Sequence, residues 1–247
     1  MGDFLGIELL MIKHVAPAPR PREVCLYIIR HGETEFNEAG LVQGFTDSRL
    51  THDGIAQAKR AGRGLGHIFF TTAFSGDLTR QKDTAALILA ENKHSVPPLE
   101  ELHGLREWCM GGFEGGSVTN LWIPLFREHN LDESGIAAGY KALERMVGLE
   151  GIAGAIAKRD PSRTAEDFNS IAERVHGAID HIVATTLAEG GGNALVLSSG
   201  MTIRAIMRLY VPDVQDVLRV PNCALSILRY ADGGFALLQS ADAGYCA

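Results

Sequence analysis

The stretch LYIIRHGET at residues 26–34 constrains the fold of this chain more than any other part of it. A run of apolar, β-branched and aromatic residues stops at an arginine, a histidine and a glycine, which is typical of a buried strand followed by a turn. His31 should therefore lie just past the carboxyl end of the strand, where open α/β sheets place their ligand sites. Gly32 allows a sharp turn and the close approach of another group to the backbone. Arg30 carries a permanent charge and a planar fork suited to phosphate oxygens.

The tripeptide Arg-His-Gly alone fits either a nucleophile beside a phosphate binder or a structural histidine at a strand end. Its continuation distinguishes the two, because residues 30–58 read RHGETEFNEAGLVQGFTDSRLTHDGIAQA. This stretch resembles the histidine phosphatase superfamily, whose members include the cofactor-dependent phosphoglycerate mutases and many small phosphatases. The match extends at fixed spacing from RHGET to the Gln-Ala pair that ends the stretch. The resemblance implies that His31 is the nucleophile and that Arg30 and Asn37 bind phosphate.

Two further stretches extend the resemblance. Residues 75–85, SGDLTRQKDTA, are similar to the family segment SSDLxRAxxTA, which implies that Arg80 is the second phosphate-binding arginine. Residues 105–115, LREWCMGGFEG, are similar to the family stretch LREx…GxxEG, which implies that Glu107 is the general acid. The chemistry needs such an acid, because a departing alkoxide is a poor leaving group unless it is protonated. Each side chain also has a plain alternative role, as a surface arginine and a capping glutamate.

The chain departs from the family near its last predicted parallel strand. The family pattern is VxSHG(G/N)(T/S)IR, and residues 196–204 read VLSSGMTIR. Ser199 occupies the position of the family's second histidine, and Met201 replaces a small or polar residue. The resemblance still implies that Ser199 and Gly200 bind the phosphate, but a serine hydroxyl is shorter and neutral, so that the bond from Ser199 is expected to be weak. Losing one preorganised donor costs ~10²–10³ in rate, so we expect a slowed enzyme.

The expected function is hydrolysis of a small phosphorylated metabolite through a phosphohistidine at His31. Ser199 and Met201 leave open an alternative of another class, a non-catalytic protein that binds a phosphorylated ligand. A phosphoglycerate mutase is disfavoured, because family mutases carry a basic, aromatic insertion after the acid loop. Residues 113–140 contain only Arg127 as an assured cation. Neither a metal nor a cofactor is expected to take part.

The resemblance implies an α/β fold, a three-layer α/β/α sandwich with a mainly parallel sheet of the phosphoglycerate mutase-like type. Residues 1–22 are predicted to be an N-terminal appendage, with a spacer containing three prolines, and residues 23–247 a single domain. The resemblance makes residues 117–162 a candidate cover of the active site, while any one of its large apolar side chains fits a core helix equally well. The apolar patterns predict strands at residues 23–29, 68–74 and 194–198, a helix at 164–189, an irregular segment at 94–105, and an edge hairpin at 223–230 and 235–239.

Composition limits the partners and the compartment. The net charge of −7 argues against nucleic acid, whose binding needs a basic face, and the sequence contains no run of 18 apolar residues that would predict a membrane span. Four scattered cysteines without a pairing pattern fit a reducing, cytoplasmic environment. A small phosphorylated substrate is the expected partner, and a homodimer is left open.

Overall fold

The computed structural model describes residues 22–213 and 220–246, so that the predicted appendage, apart from Arg22, lies outside the described residues. The strands are β1 (Val24–Arg30), β2 (Thr72–Ser75), β3 (Leu99–Glu101), β4 (Gly192–Ser198), β5 (Leu225–Ala231) and β6 (Gly234–Asp242). They form one sheet in the order β3-β2-β4-β1-β5-β6.

The first four strands are parallel, and their carboxyl ends meet at one edge of the sheet. Arg30 in β1 lies beside Ser198 in β4, and Ser75 in β2 lies beside Leu197 in β4. β5 is antiparallel to β1, and β6 pairs with β5 as a hairpin at the sheet edge. The prediction of a mainly parallel sheet with an edge hairpin is confirmed. The residues that follow β1, β2 and β4 therefore come together in space.

Helices cover both faces of the sheet. They are α1 (Glu35–Glu38), α2 (His52–Leu65), α3 (Thr79–Ala90), α4 (Val118–Glu128), α5 (Ile136–Arg159), α6 (Phe168–Ala188) and α7 (Gly200–Tyr210). Because side chains alternate along a strand, β1 contributes to two cores. Leu26 and Ile28 share one core with α6 and α7, and Tyr27 and Ile29 share the other with α2 and α3. This arrangement confirms the predicted three-layer sandwich.

The helix ends follow the local sequence. The Thr51 hydroxyl accepts from the Gly54 N–H at the start of α2, and the Asp167 carboxylate accepts from the Ser170 N–H at the start of α6. α6 stops before residues 190–192, three glycines that all have positive φ, as the sequence predicts. Across the described ranges, none of the helices is long and apolar enough to cross a membrane.

The helix predicted at 164–189 begins only at Phe168, and two other predicted segments are also wrong in part. The strand predicted over residues 68–74 begins only at Thr72, because the Ile68 N–H still donates to the last residue of α2 and Phe69 is 53% exposed. The segment at 94–105, predicted to be irregular, contains β3 and a short 3-10 helix, His103–Leu105. Both errors concern short pieces whose structure depends on a neighbouring element rather than on their own pattern.

The interval predicted to cover the active site folds as α4 and α5. α5 is interrupted at Gly148, whose φ of 68° is not helical. After this break, Leu149, Ile152 and Ile156 are buried in the core. Before the break, Ile136 and the residues that follow it line a cavity. The part before the break therefore contributes to the cavity wall and, through the buried Leu143, to the core, whereas the part after it packs in the core.

Candidate active site

His31 directly follows β1 and is 3% exposed. Its Nδ1 lies 2.8 Å from the Gly32 carbonyl oxygen. Because a carbonyl only accepts, Nδ1 must carry the proton in this bond, and Nε2 keeps its lone pair. Burial, together with the positive charges of Arg80 and Arg30, holds the pKa of His31 well below its usual value. The imidazole is therefore neutral near pH 7 and has a free nucleophilic nitrogen.

Gly32 fixes the turn that presents this histidine. Its N–H donates to the Thr84 hydroxyl over 3.0 Å, and a Cβ at this position would lie 2.6 Å from the Gly54 carbonyl oxygen. The backbone of α2 thus approaches more closely than any side chain at position 32 would allow. The predicted need for close approach at this glycine is confirmed.

Arg30 is half-buried at the end of β1. Its Nη1 donates to the Val220 carbonyl over 2.8 Å. A Cβ placed on Gly200 would lie 3.5 Å from the Arg30 Nε, so the first residue of α7 packs close to the guanidinium. The free N–H groups and dipole at the start of a helix favour an anion. Arg30 and the start of α7 therefore face the same space.

Arg80 lies in the first turn of α3, as predicted, and is completely buried. Its Nη1 donates to the Thr46 carbonyl and the Asp47 carboxylate, and its Nη2 donates to the Gly44 carbonyl. Within the described chain, Nε has no hydrogen-bond partner, and Nη2 uses one of its two N–H groups. Nε–H and one N–H of Nη2 are therefore not used by these bonds, and such groups can donate to phosphate oxygens.

Glu107 is 8% exposed and lies against the start of α7. Its Oε1 accepts from the Trp108 and Thr202 N–H groups, and its Oε2 accepts from the Met201 N–H, each over 3.0 Å. These bonds fix the carboxyl group beside Gly200 in the cavity that Arg30 also lines. Three backbone N–H groups thus hold the carboxyl group at the wall of the cavity.

Asn37 is connected to His31 by hydrogen bonds from a third residue, Asn222, which the sequence analysis did not identify. The Asn222 amide donates to the His31 carbonyl over 3.0 Å and to the Asn37 amide oxygen over 3.1 Å. The Asn37 amide nitrogen lies 3.4 Å from the Gln43 side-chain oxygen. Asn222 comes from the loop before β5, and nothing in the sequence around it distinguishes it from an ordinary loop asparagine.

Ser199 follows β4 and is completely buried. Its hydroxyl accepts from the Gln81 amide over 3.0 Å, and the same amide nitrogen donates to the Leu105 carbonyl over 2.9 Å. Gln81 stands where the family segment has alanine, and its side-chain oxygen has no hydrogen-bond partner among residues 22–213 and 220–246. The position of the family's second histidine therefore holds a small side chain packed against a larger one from α3. The sequence predictions did not include Gln81.

A cavity of about 610 Å³ opens above these groups, a volume suited to a small organic ligand. Arg30, Glu107 and Gly200 line it, together with residues of α4, the first part of α5 and α7. No group of three or more His, Cys, Asp or Glu side chains in the described part of the protein is placed to hold a metal ion. Of the predicted site residues, Arg30, Glu107 and Gly200 line this cavity, whereas His31, Arg80, Asn37 and Ser199 do not.

The upper wall of the cavity is held by Arg204 in α7. Its guanidinium pairs with Glu144 and donates to the Tyr140 hydroxyl over 2.6 Å. That hydroxyl in turn lies 3.4 Å from the Met201 sulfur. Burial raises the pKa of Tyr140, so the phenol keeps its proton. These contacts join α5 to α7 across the cavity.

The fold and the site match a known family. The model of the histidine phosphatase superfamily (branch 1) matches residues 26–138 and 140–243. The match spans most of the chain and includes every residue of the site just described. The chain therefore belongs to the histidine phosphatase superfamily.

Individual relatives point in the same direction. The chain is 31% identical over 185 residues to a broad-specificity phosphatase of Saccharomyces cerevisiae, covering 74% of this chain and 68% of the relative. It is 32% identical over 199 residues to fructose-2,6-bisphosphatase TIGAR B of Danio rerio, covering 77% and 76%. Shorter matches to other TIGAR proteins span 36% of those relatives. A phosphoglycerate mutase structure from Bacillus anthracis superposes with a TM-score of 0.83 at 29% identity, covering 92% of this chain and 96% of that one.

Proposed function

We propose that this chain hydrolyses small phosphomonoesters through a phosphohistidine at His31. The observation that carries the proposal is the state of this imidazole. It is buried and neutral, its Nδ1–H is bound to the Gly32 carbonyl, and the charges of Arg80 and Arg30 both act on it. A neutral imidazole next to two cations is suited to attack a phosphoryl group that the cations hold.

In the first step, the lone pair on His31 Nε2 attacks phosphorus in line with the ester oxygen. The bond between phosphorus and that oxygen breaks, and the departing alcohol takes the proton of the Glu107 carboxyl. Arg30 and the Nε and Nη2 edge of Arg80 bind the equatorial oxygens, with Asn37 and the start of α7 at Gly200 beside them.

In the second step, a water molecule attacks the phosphohistidine from the side that the alcohol has left. Glu107, now a carboxylate, takes a proton from the water, the bond between nitrogen and phosphorus breaks, and the electron pair returns to Nε2 of His31. Inorganic phosphate is the product, and the imidazole and the carboxyl return to their starting forms. The step needs no metal or cofactor.

Ser199 is expected to slow this cycle. Its hydroxyl oxygen already accepts from Gln81, and its O–H is a weaker donor than a protonated imidazole. The absence of one preorganised donor costs ~10²–10³ in rate, or ~3–4 kcal/mol of transition-state stabilisation. We therefore expect measurable but low turnover.

The direct test is a rapid-quench experiment with ³²P-labelled phosphomonoesters, combined with hydrolysis of para-nitrophenyl phosphate in EDTA. Label on His31 and loss of turnover in His31→Ala support the proposal. His52→Ala is a matched control, because the His52 side chain is 98% exposed and should leave the rate unchanged. Turnover that survives in His31→Ala would overturn the assignment of the nucleophile.

The replacement of the second histidine by Ser199 favours a second candidate function, a protein that binds a phosphorylated ligand without hydrolysing it. The same phosphate-binding groups would serve it. Absence of label on His31, together with saturable binding of inorganic phosphate or a phosphomonoester by calorimetry, would favour this function over the phosphatase.

Mutase activity is a third candidate, because the fold superposes on that of a phosphoglycerate mutase. We disfavour it because residues 113–140, where family mutases carry a basic insertion, offer few positive charges to the site. Arg127, their assured cation, is paired with Glu133 over 2.8 Å at the surface. Interconversion of phosphoglycerates that depends on 2,3-bisphosphoglycerate would reveal a mutase.

A further inference from the structure

We propose that the cavity beside Glu107 is a leaving-group subsite for apolar alcohols that carry a ring, so that arylalkyl phosphates are preferred over sugar and glycerate phosphates. This inference rests on the proposed phosphatase function and names its substrate class. It follows from which side chains line the cavity and from how the polar ones among them are already bound.

Met201 places an apolar side chain next to the acid. Its backbone N–H donates to the Glu107 carboxyl group. The Met201 side chain therefore starts from a residue that directly contacts the proposed acid. The family pattern has a small or polar residue at this position. A thioether packs well against rings and accepts hydrogen bonds only weakly. The leaving group therefore meets a thioether where relatives can offer a hydrogen-bonding side chain.

Trp122 and Tyr140 add aromatic surface to the same cavity. Their rings meet edge to face, with centroids 4.9 Å apart at 86°, which is a favoured aromatic geometry. The Tyr140 hydroxyl is already bonded to Arg204 and to the Met201 sulfur. Because both bonds are internal, Tyr140 offers the cavity its ring rather than its hydroxyl.

The charge of Arg204 is likewise already paired within the protein. Its guanidinium pairs with Glu144 and lies over the Tyr140 ring, 4.9 Å from its centroid. An ion pair that is buried and bonded in this way would lose more than it gains by opening to a sugar hydroxyl. Lys141 also lines the cavity, but from an exposed position, where water weakens its attraction for a second anionic group.

These contacts predict the selectivity. A sugar or glycerate would lose its hydration in the cavity and find few partners for its hydroxyl groups, which carries a penalty for each unpaired group. A phenyl ring would bury its surface against Met201, Trp122 and Ile136 at no such penalty. The volume of about 610 Å³ leaves room for one or two rings beyond the phosphate.

The test compares 2-phenylethyl phosphate with glucose 6-phosphate and 3-phosphoglycerate. All three release a primary alcohol, so intrinsic leaving-group differences are small. We expect kcat/KM for 2-phenylethyl phosphate to be at least ~30-fold higher, the gain from burying one phenyl ring. Met201→Ser should lower that ratio roughly 10-fold. The ratio is the readout, because partial unfolding lowers all three rates equally.

Met146→Ser is the matched control, because Met146 is on the same helix as Tyr140 but is 58% exposed, and the ratio should not change. Turnover that depends on His31 but is equal or faster with glucose 6-phosphate or 3-phosphoglycerate overturns the subsite while the phosphatase stands. No turnover of any ester that depends on His31 overturns the phosphatase and, with it, the subsite.

Discussion

Restoring the family's second histidine should require two substitutions, because Ser199 and Gln81 pack together. Ser199 is completely buried, and the Gln81 amide nitrogen lies 3.0 Å from its hydroxyl. An imidazole at position 199 extends beyond that contact into the space that the amide fills. Overpacking of this kind costs about 1–3 kcal/mol. Ser199→His alone should therefore be destabilised, with its imidazole displaced from the phosphate.

The double variant Ser199→His with Gln81→Ala removes the obstruction. Position 81 then carries the alanine of the family segment, and the imidazole can approach the phosphoryl group. We expect kcat/KM to rise by ~10²–10³ over the parent chain, the value of one preorganised donor. The single Ser199→His variant should gain less than about tenfold, because the ~1–3 kcal/mol of strain offsets most of the benefit.

The assay is hydrolysis of para-nitrophenyl phosphate in EDTA by the parent, both single variants and the double variant, with urea unfolding of each. Such a cycle isolates the coupling between the two positions. An equal rate gain in Ser199→His alone, without loss of stability, would show that Gln81 is no obstacle. A double variant that folds but gains nothing would refute the view that the missing histidine limits the rate.

Three further predictions concern the nucleophile and its support. Burial and the charge of Arg80 hold the pKa of His31 below its usual 6.5, so the unfolded chain binds an extra proton below that pH and stability falls as the pH drops. Relative to His31→Gln, the parent should lose up to about 1.4 kcal/mol per pH unit below pH 6.5; parallel urea-unfolding profiles would contradict this. Gly32→Ala places a Cβ 2.6 Å from the Gly54 carbonyl oxygen, so it should lower the free energy of unfolding by about 1–3 kcal/mol and remove most of the activity. The control is Gly177→Ala, whose Cβ would meet nothing within 4 Å; it should raise the free energy of unfolding by about 0.5–1 kcal/mol in the same assay. Arg80→Lys removes the N–H fork and should raise the inhibition constant of inorganic phosphate ~10- to 100-fold, and an unchanged constant would place Arg80 outside the phosphate site.

The sequence predicted the parts of this molecule that depend on local pattern. β1 and β4 are apolar runs that stop at small or charged residues, and a parallel arrangement places the residues after them together. Their ends could therefore be assigned to one site from the pattern and the family resemblance. β2 was placed too early because Phe69 continues an apolar run while its side chain faces solvent.

The contacts that give the site its particular character were not predictable in this way. Gln81 meets Ser199 across 118 positions of sequence, and Arg204 meets Tyr140 across 64. Each side chain is ordinary in its own segment, and its partner is determined by how distant segments pack together. Asn222, in the loop before β5, was missed for the same reason.

The break in α5 at Gly148 has a mechanical consequence. A continuous helix behaves as a stiff rod, so a change that tilts one end is transmitted to the other, whereas an interrupted one transmits it poorly. The part before Gly148 carries Ile136 and Tyr140 in the cavity wall, and the part after it anchors Leu149 and Ile152 in the core. Substitutions of Ile136 and Tyr140 that reshape the wall should therefore disturb that anchor little, as long as Leu143, which is buried in the core before the break, is kept.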